Sequence, residues 1–336
     1  MPLMVHKACN GPLHFFTFSP FCVLLVLLSL VLCGCARVLD PEPEPFEVLP
    51  RESKIPDDAE KVVPDSDSFL PILLSEEFEY PVPMEGPVNT AGGEDSAFIT
   101  PDGQNFYFFF TPAVNIPAEN QLHDGVTGIY WSQKRSGVWT EPERVVLNDD
   151  VSLDGCEFVR GGTMWFCSVR TGNLREIDFY TAELREGEWS NWQNAGERLN
   201  LEIGIGEMHL SAAGTELFFH ADKPGGTGGL DIWLTVKKDG QWQDATPVEP
   251  VNTSFDEGWP FLTEDGRQLW FTRFYQGAPA IYRSINNGID WQEPELIIYQ
   301  FAAEPSLDLA GNLYFTHHFF RDGQMVEADI YVARPK

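Results

Sequence analysis

Acidic residues recur along this 336-residue chain at intervals that suggest one repeated position rather than scattered surface charge. Glu94 or Asp95, Asp154, Glu207, Glu257 and Glu304 each stand near the start of a short apolar run that ends in a turn. Carboxylates gathered in this way raise one another's pKa and favour a bound cation or basic ligand. A pair at the right separation can also act as acid and nucleophile, or acid and base, on a glycosidic bond. Against both stands a plainer role: a residue present in every copy of a repeat tends to serve the repeat, accepting backbone donors at a turn. The plain role is favoured over ligand binding, and binding over catalysis, so no residue is assigned as catalytic. His209 follows Glu207 by two positions and shares its face of a strand. No His-x-x-x-His or Cys-x-x-Cys spacing supports zinc, and no metal ligand set is assigned. No cofactor is called for, although an acidic channel of this kind would suit a divalent cation such as calcium.

The elements that must position these acids form a repeat. An aromatic second strand sets the register at Phe106-Tyr107-Phe108, Met164-Trp165-Phe166, Leu217-Phe218-Phe219, Leu269-Trp270-Phe271 and Leu313-Tyr314-Phe315, spaced by 58, 53, 52 and 44 residues. Before each lie a glycine turn and a first strand. After each comes a third strand, at Gly128-Ile129-Tyr130, Asp178-Phe179-Tyr180, Asp231-Ile232-Trp233, Ala280-Ile281-Tyr282 and Asp329-Ile330-Tyr331. Alternating apolar residues broken by Asp-Gly or Asn-Gly are the pattern of β-hairpins. A tryptophan opens the fourth strand at Trp139, Trp189, Trp242 and Trp291, but the fifth unit stops at Lys336 without one. The segment 78–90, FEYPVPMEGPVNT, matches 242–253, WQDATPVEPVNT, and so can supply that strand from the other end of the chain. The fold class expected is all-β: a five-bladed β-propeller of four-stranded antiparallel blades, closed into a ring by an N-terminal strand. First strands then line a central channel, where the acids would converge.

Ile99-Thr100-Pro101-Asp102-Gly103 and Leu262-Thr263-Glu264-Asp265-Gly266 resemble the Ser-Pro-Asp-Gly turn of TolB-type, WD-like propeller repeats. Gly229-Leu230-Asp231-Ile232-Trp233 is similar to their third strand, and Trp139-Thr140-Glu141-Pro142 and Trp291-Gln292-Glu293-Pro294 to the opening of their fourth. The resemblance covers roughly residues 78–336 and implies the fold; members of that family act mostly as binding or docking platforms. Residues 284–291 also resemble the Asp-box turn of sialidase-type propellers, a folding device. The sialidase arginine triad is not assignable here.

The chain divides into 1–34, a signal peptide; 35–76, an acidic Pro-rich tether; and 77–336, the propeller. The apolar run 21–32 is too short for a span of about 20 residues and leads into Leu32-Cys33-Gly34-Cys35. That sequence resembles a bacterial lipobox with Cys35 as the acylated residue, and Ala36 implies delivery to the outer membrane. The formal charge of −29 leaves no basic face for a phosphate backbone, so nucleic acid is excluded as a partner. The expected partners are the membrane, through the lipid, and a protein or glycan at one face of the ring. A carbohydrate-active hydrolase or lyase using channel carboxylates is the alternative. Phe274, Tyr275, Phe319 and Phe320 are candidate anchors for a partner or else core. Cys156 and Cys167 flank Gly161-Gly162 symmetrically, so a two-residue hairpin sets them opposite one another, as a disulfide or as two buried thiols.

Overall fold

The computed structural model describes residues 47–148 and 151–336. The signal segment 1–34, the lipidation position Cys35 and residues 36–46 lie outside the described residues. Nearly all regular structure among the described residues is β, in four mostly antiparallel sheets whose strands recur as five successive modules. The innermost strands are Gly93–Ile99, Ser152–Arg160, Met208–Leu210, Glu257–Leu262 and Ala302–Leu307. Each pairs with the aromatic strand that follows it: Asn105–Thr111, Thr163–Arg170, Glu216–Ala221, Gln268–Tyr275 and Leu313–Arg321.

The aromatic strands read as continuous apolar runs because both of their faces are covered. In the first module Phe106, Phe108 and Phe110 enter one apolar cluster while Tyr107 enters the next. In the fourth, Leu269 and Phe271 point one way and Trp270 the other. Successive side chains of a strand alternate between faces, so each sheet welds two neighbouring cores together.

The Thr-x-Asp-Gly turns are held by one hydrogen-bond pattern. Thr263 Oγ1 donates to Asp265 Oδ1 at 2.7 Å, Gln268 N–H donates to Thr263 Oγ1 at 3.0 Å, and Gly266 takes φ +69°. Thr100, Asp102, Asn105 and Gly103 repeat it, which makes these residues turn-builders.

The fifth module takes its outer strand from the N-terminal side. Val82–Pro83 pairs antiparallel with Gln324–Ala333, Val82 opposite Val332 and Pro83 opposite Tyr331, and Phe78 bridges to Pro335. A single parallel bridge, Ala328 to Gly93, joins the fifth sheet to the first.

The expectation of a free-standing tether fails over residues 47–76, which lie along the first, fifth and fourth modules. Leu49 N–H donates to Gly125 O at 3.0 Å, Lys61 pairs with Glu327 and Asp329, and Ile72–Leu73 adds a fifth strand outside Glu295–Tyr299. Composition misled because the segment's apolar residues, such as Leu49, Ile55, Val62 and Leu73, are scattered without a strand or helix period. Val62 is buried in one apolar cluster, Leu49, Ile55 and Leu73 pack against the clusters, and Arg51, Lys61 and backbone bonds complete the docking. No helix among the described residues is long and apolar enough to cross a membrane.

Candidate functional site

The recurrent acids form two sets, not one. Glu94, Asp154 and Glu257 sit at equivalent positions opposite Phe110, Ser168 and Arg273 of their partner strands. All three are buried and fully engaged. Glu94 accepts from Thr90 N–H at 2.9 Å and Thr90 Oγ1 at 2.6 Å. Glu257 repeats this with Thr253, at 3.0 and 2.5 Å, and also accepts from Arg273 Nε at 2.6 Å. Asp154 accepts from Ser152, Ser168 and Arg170. Burial pushes the Glu94 carboxyl up to about 7 against the opposing Thr90 donors and the Arg51 and Lys61 charges.

A cation lies over the aromatic pair of each module. Arg170 lies 4.7 Å from the Tyr180 ring centre, Arg273 4.4 Å from that of Tyr282, and Lys223 4.9 Å from that of Trp233. The first and fifth modules have Phe110 and His317 where the fourth has Arg273, and their cations come from the N-terminal segment. Arg51 stacks over Phe108, Phe110 and Tyr130, donates to Val88 O and Pro87 O, and lies 3.8 Å from Glu94. Lys61 lies 5.7 Å from the Phe319 ring centre and pairs with the Glu327 and Asp329 carboxylates.

The second set arises from a β-bulge. Register shifts fall between Asp95 and Phe98, Gly155 and Phe158, Gly258 and Phe261, and Ala303 and Ser306. Ser96, Cys156, Trp259 and Glu304 there adopt φ between +52° and +56°. Strand alternation already turns Glu94 and Asp95, both ahead of the bulge, to opposite faces, and the bulge re-aims the side chains that follow it. It also displaces the cysteines: Cys167 pairs with Gly155, and Cys156 stands in the bulge, not directly opposite as the symmetric hairpin implied. The two are joined by a disulfide with Cα atoms 5.4 Å apart.

At and beyond the bulges the five inner strands share one cavity of about 60 Å³, lined by Glu157, Glu207 and Glu304 and by Phe98, Phe158, His209 and Phe261. Neither oxygen of Glu157 has a hydrogen-bond partner among the described residues, although the residue is only 4% exposed. Burial drives its carboxyl well above the usual range, with the charges of Glu207 and Asp95 adding to the effect. Glu207 is pushed up to about 8 by burial and by Asp95, against the Trp259 indole. Glu304 rises for the same causes, while its carboxylate accepts Ser96 N–H at 2.6 Å.

His209 is buried and kept neutral. Its Nδ1 accepts Leu262 N–H at 3.1 Å, so the proton sits on Nε2, which has no partner among the described residues. Its ring centre lies 4.5 Å from Phe261 and 4.9 Å from Phe158. His220 braces this wall by accepting Trp259 N–H at 3.2 Å. Gly206 is required beside it, since a Cβ there would lie 2.4 Å from His220.

No group of three His, Cys, Asp or Glu side chains among the described residues converges closely enough to hold a metal ion. His317 and His318 face opposite ways: His317 contacts Asp67 at 3.0 Å, and His318 looks toward Asp95 at 4.0 Å. Of the candidate anchors, Phe319 is core at 1% exposure, Phe320 stacks on Phe301 at 4.4 Å, and Phe274 is 38% exposed. A second hollow of about 350 Å³ opens between the fourth and fifth modules, with Phe78 and Trp270 in its floor and Glu264, Asp265 and Asp308 at its rim.

Sequence reasoning passed over Glu157, Arg51 and Lys61. Glu157 was open to discovery, because Ala97, Met208, Pro260 and Pro305 occupy its column and it alone there is charged.

No family model and no curated relative matches the chain. Among solved structures it is similar to TolB from Acinetobacter baumannii, at 15% identity and a TM-score of 0.43 over 74% of this chain and 55% of that one. The chain thus spans about half the length of that TolB. It is similar to an endo-arabinase from Bacteroides thetaiotaomicron, at 15% identity and a TM-score of 0.46 over 74% and 96%. It is also similar to an alpha-L-arabinofuranosidase from Podospora anserina, at 12% identity and a TM-score of 0.46 over 76% and 95%.

Proposed function

We propose that the chain is a five-bladed β-propeller of the TolB type whose ring is closed by Val82–Pro83. In this reading it is exported as a lipoprotein through Cys35 and serves in the bacterial envelope as a binding platform for a protein or glycan. Five modules whose inner strands share one cavity, and a fifth sheet completed by an N-terminal strand, support the ring. The Leu32-Cys33-Gly34-Cys35 sequence after an apolar run supports the anchor.

One observation carries binding over catalysis: the fate of the carboxylates. Glu94, Asp154 and Glu257 are consumed by hydroxyls, backbone N–H groups and arginines of their own modules. Glu207 and Glu304, with Glu157, share a cavity of about 60 Å³, against the roughly 300–1,000 Å³ of pockets that enclose a small-molecule ligand. A sugar ring, a leaving group and an attacking water do not fit there together. The hollow between the fourth and fifth modules, with its aromatic floor and acidic rim, is large enough for recognition but holds no unengaged acid–base pair.

A glycan array run beside a glycoside-release screen on the full-length protein tests this. Binding without turnover is expected. Sugar release that disappears in a folded Glu207→Gln variant would put the hydrolase reading first. Fatty-acid labelling present in the wild type and lost in Cys35→Ser tests the anchor, and equal labelling of both would remove it.

A further inference from the structure

The channel cavity has the chemistry of a site for one kind of ligand. Its walls carry Glu157, Glu207 and Glu304, with the Asp95 charge close enough to raise all three. The donors that reach them are few: Ser96 N–H to Glu304 and the Trp259 indole to Glu207. Glu157 receives none among the described residues. An unpaired carboxylate in such a place is costly unless a cation or proton joins it. Arg144, whose charge reaches Glu157, is committed to Thr127 O at 2.7 Å, Val145 O at 3.0 Å and Ile129 O at 3.2 Å.

Two features choose among cations. Hard divalent ions take six to eight oxygen ligands at close range, and no three acidic or imidazole side chains here converge for direct ligation. Aromatic rings, by contrast, are at hand: Phe98, Phe158 and Phe261 line the cavity. Carboxylates and aromatic rings lining one small cavity are surroundings that favour an alkylammonium, which gives three N–H donors and lies well over a ring. The cavity also matches in size: at about 60 Å³ it admits an ammonium head or a few waters.

We propose that this channel pocket binds a primary alkylammonium group, of the kind that ends a lysine side chain. Glu157 is its principal acceptor, and Glu207 and Glu304 complete the box. The proposal rests on the reading of the ring as a binding platform, and it names the charge a partner would present there.

The test is titration calorimetry on the full-length protein with methylammonium chloride and with N-acetyl-lysine methylamide, calcium and sodium chlorides serving as competitors. Saturable binding of methylammonium, weakened at least tenfold by Glu157→Gln, is expected. Binding of the lysine probe as well marks a protein as the source of the group; binding of methylammonium alone marks a free amine. Should Glu157→Gln fail to fold, Glu207→Gln carries the same expectation. Tighter binding of calcium than of amine, or no amine binding from pH 6 to 9, would overturn the proposal, the latter leaving waters as the occupants. A glycan ligand bound by wild type and Glu157→Gln alike, with no amine bound by either, would sink the channel site while the platform reading stands.

Discussion

Glu257 and Glu157 belong to matching inner strands of two modules, and both are buried, yet their surroundings are opposite. Glu257 accepts three hydrogen bonds and faces Arg273; Glu157 accepts none among the described residues. Burial costs each of them, but only the first is compensated from within its own module. The difference comes from the bulge. Before it, strand pairing brings an acid level with the threonine, serine or arginine that satisfies it. After it, side chains turn into the shared cavity, where modules contribute like charges and few donors. The first region spends its carboxylates on donors of its own module; the second leaves Glu157 without one among the described residues.

The comparison can be broken at several points. The largest effect is expected from Glu257→Ala, which leaves the Arg273 guanidinium buried without its carboxylate. A loss of about 3–5 kcal/mol follows from breaking a buried pair on one side only, to be read from urea unfolding followed by tryptophan fluorescence. A loss below about 1 kcal/mol, the scale of an exposed pair, would mean that the site is not sealed. Arg51→Met comes next. It strands the carbonyls of Val88 and Pro87 and removes the cation supplied to the first module. About 2–3 kcal/mol is expected, with proteolysis between residues 51 and 76 as a second readout. A variant as stable and as resistant as wild type would show that residues 47–76 contribute nothing to the modules they cover.

About half of this was legible in the sequence. Alternation and glycine turns placed all five aromatic strands, because strand periodicity is local and each copy repeats it. The segment 78–90 announced its strand by matching 242–253, and Val82–Pro83 lies where that match puts it. Residues 47–76 were misread because their docking depends on single long-range partners. Lys61 meets residues more than 260 positions away, and no local pattern encodes that. The division of the acids was hidden for another reason. A bulge changes which way the following residues point without changing their place in an alignment, so Glu157 beyond it drew no notice, and Glu94 and Asp95, on opposite faces ahead of it, looked interchangeable.

A pH experiment sharpens the comparison further, with a smaller effect. The folded-state pKa of Glu207 is raised to about 8 by burial and Asp95. Its neutral form is therefore the one the fold accommodates. That contribution is whole below the unfolded value near 4.5 and is lost as pH rises through about 8. Wild-type stability should then fall between about pH 4.5 and 8, and Glu207→Gln should recover on the order of 1 kcal/mol or more at the upper end. Identical pH profiles would mean that Glu207 is solvated in the channel. Gly206→Ala should perturb the same wall sterically, its Cβ meeting His220 at 2.4 Å. Overpacking of this kind costs about 1–3 kcal/mol, readable as a lowered thermal midpoint; an unchanged midpoint would show that the His220 wall yields freely.

The most direct test pairs the two acids in one experiment: unfolding free energy and methylammonium affinity, measured together for Glu157→Gln and Glu257→Gln. Two kinds of carboxylate predict a crossed result, in which Glu257→Gln loses stability and keeps the amine while Glu157→Gln keeps or gains stability and loses it. If both variants lose stability alike and neither changes binding, the acids are all of one structural kind and the account is contradicted.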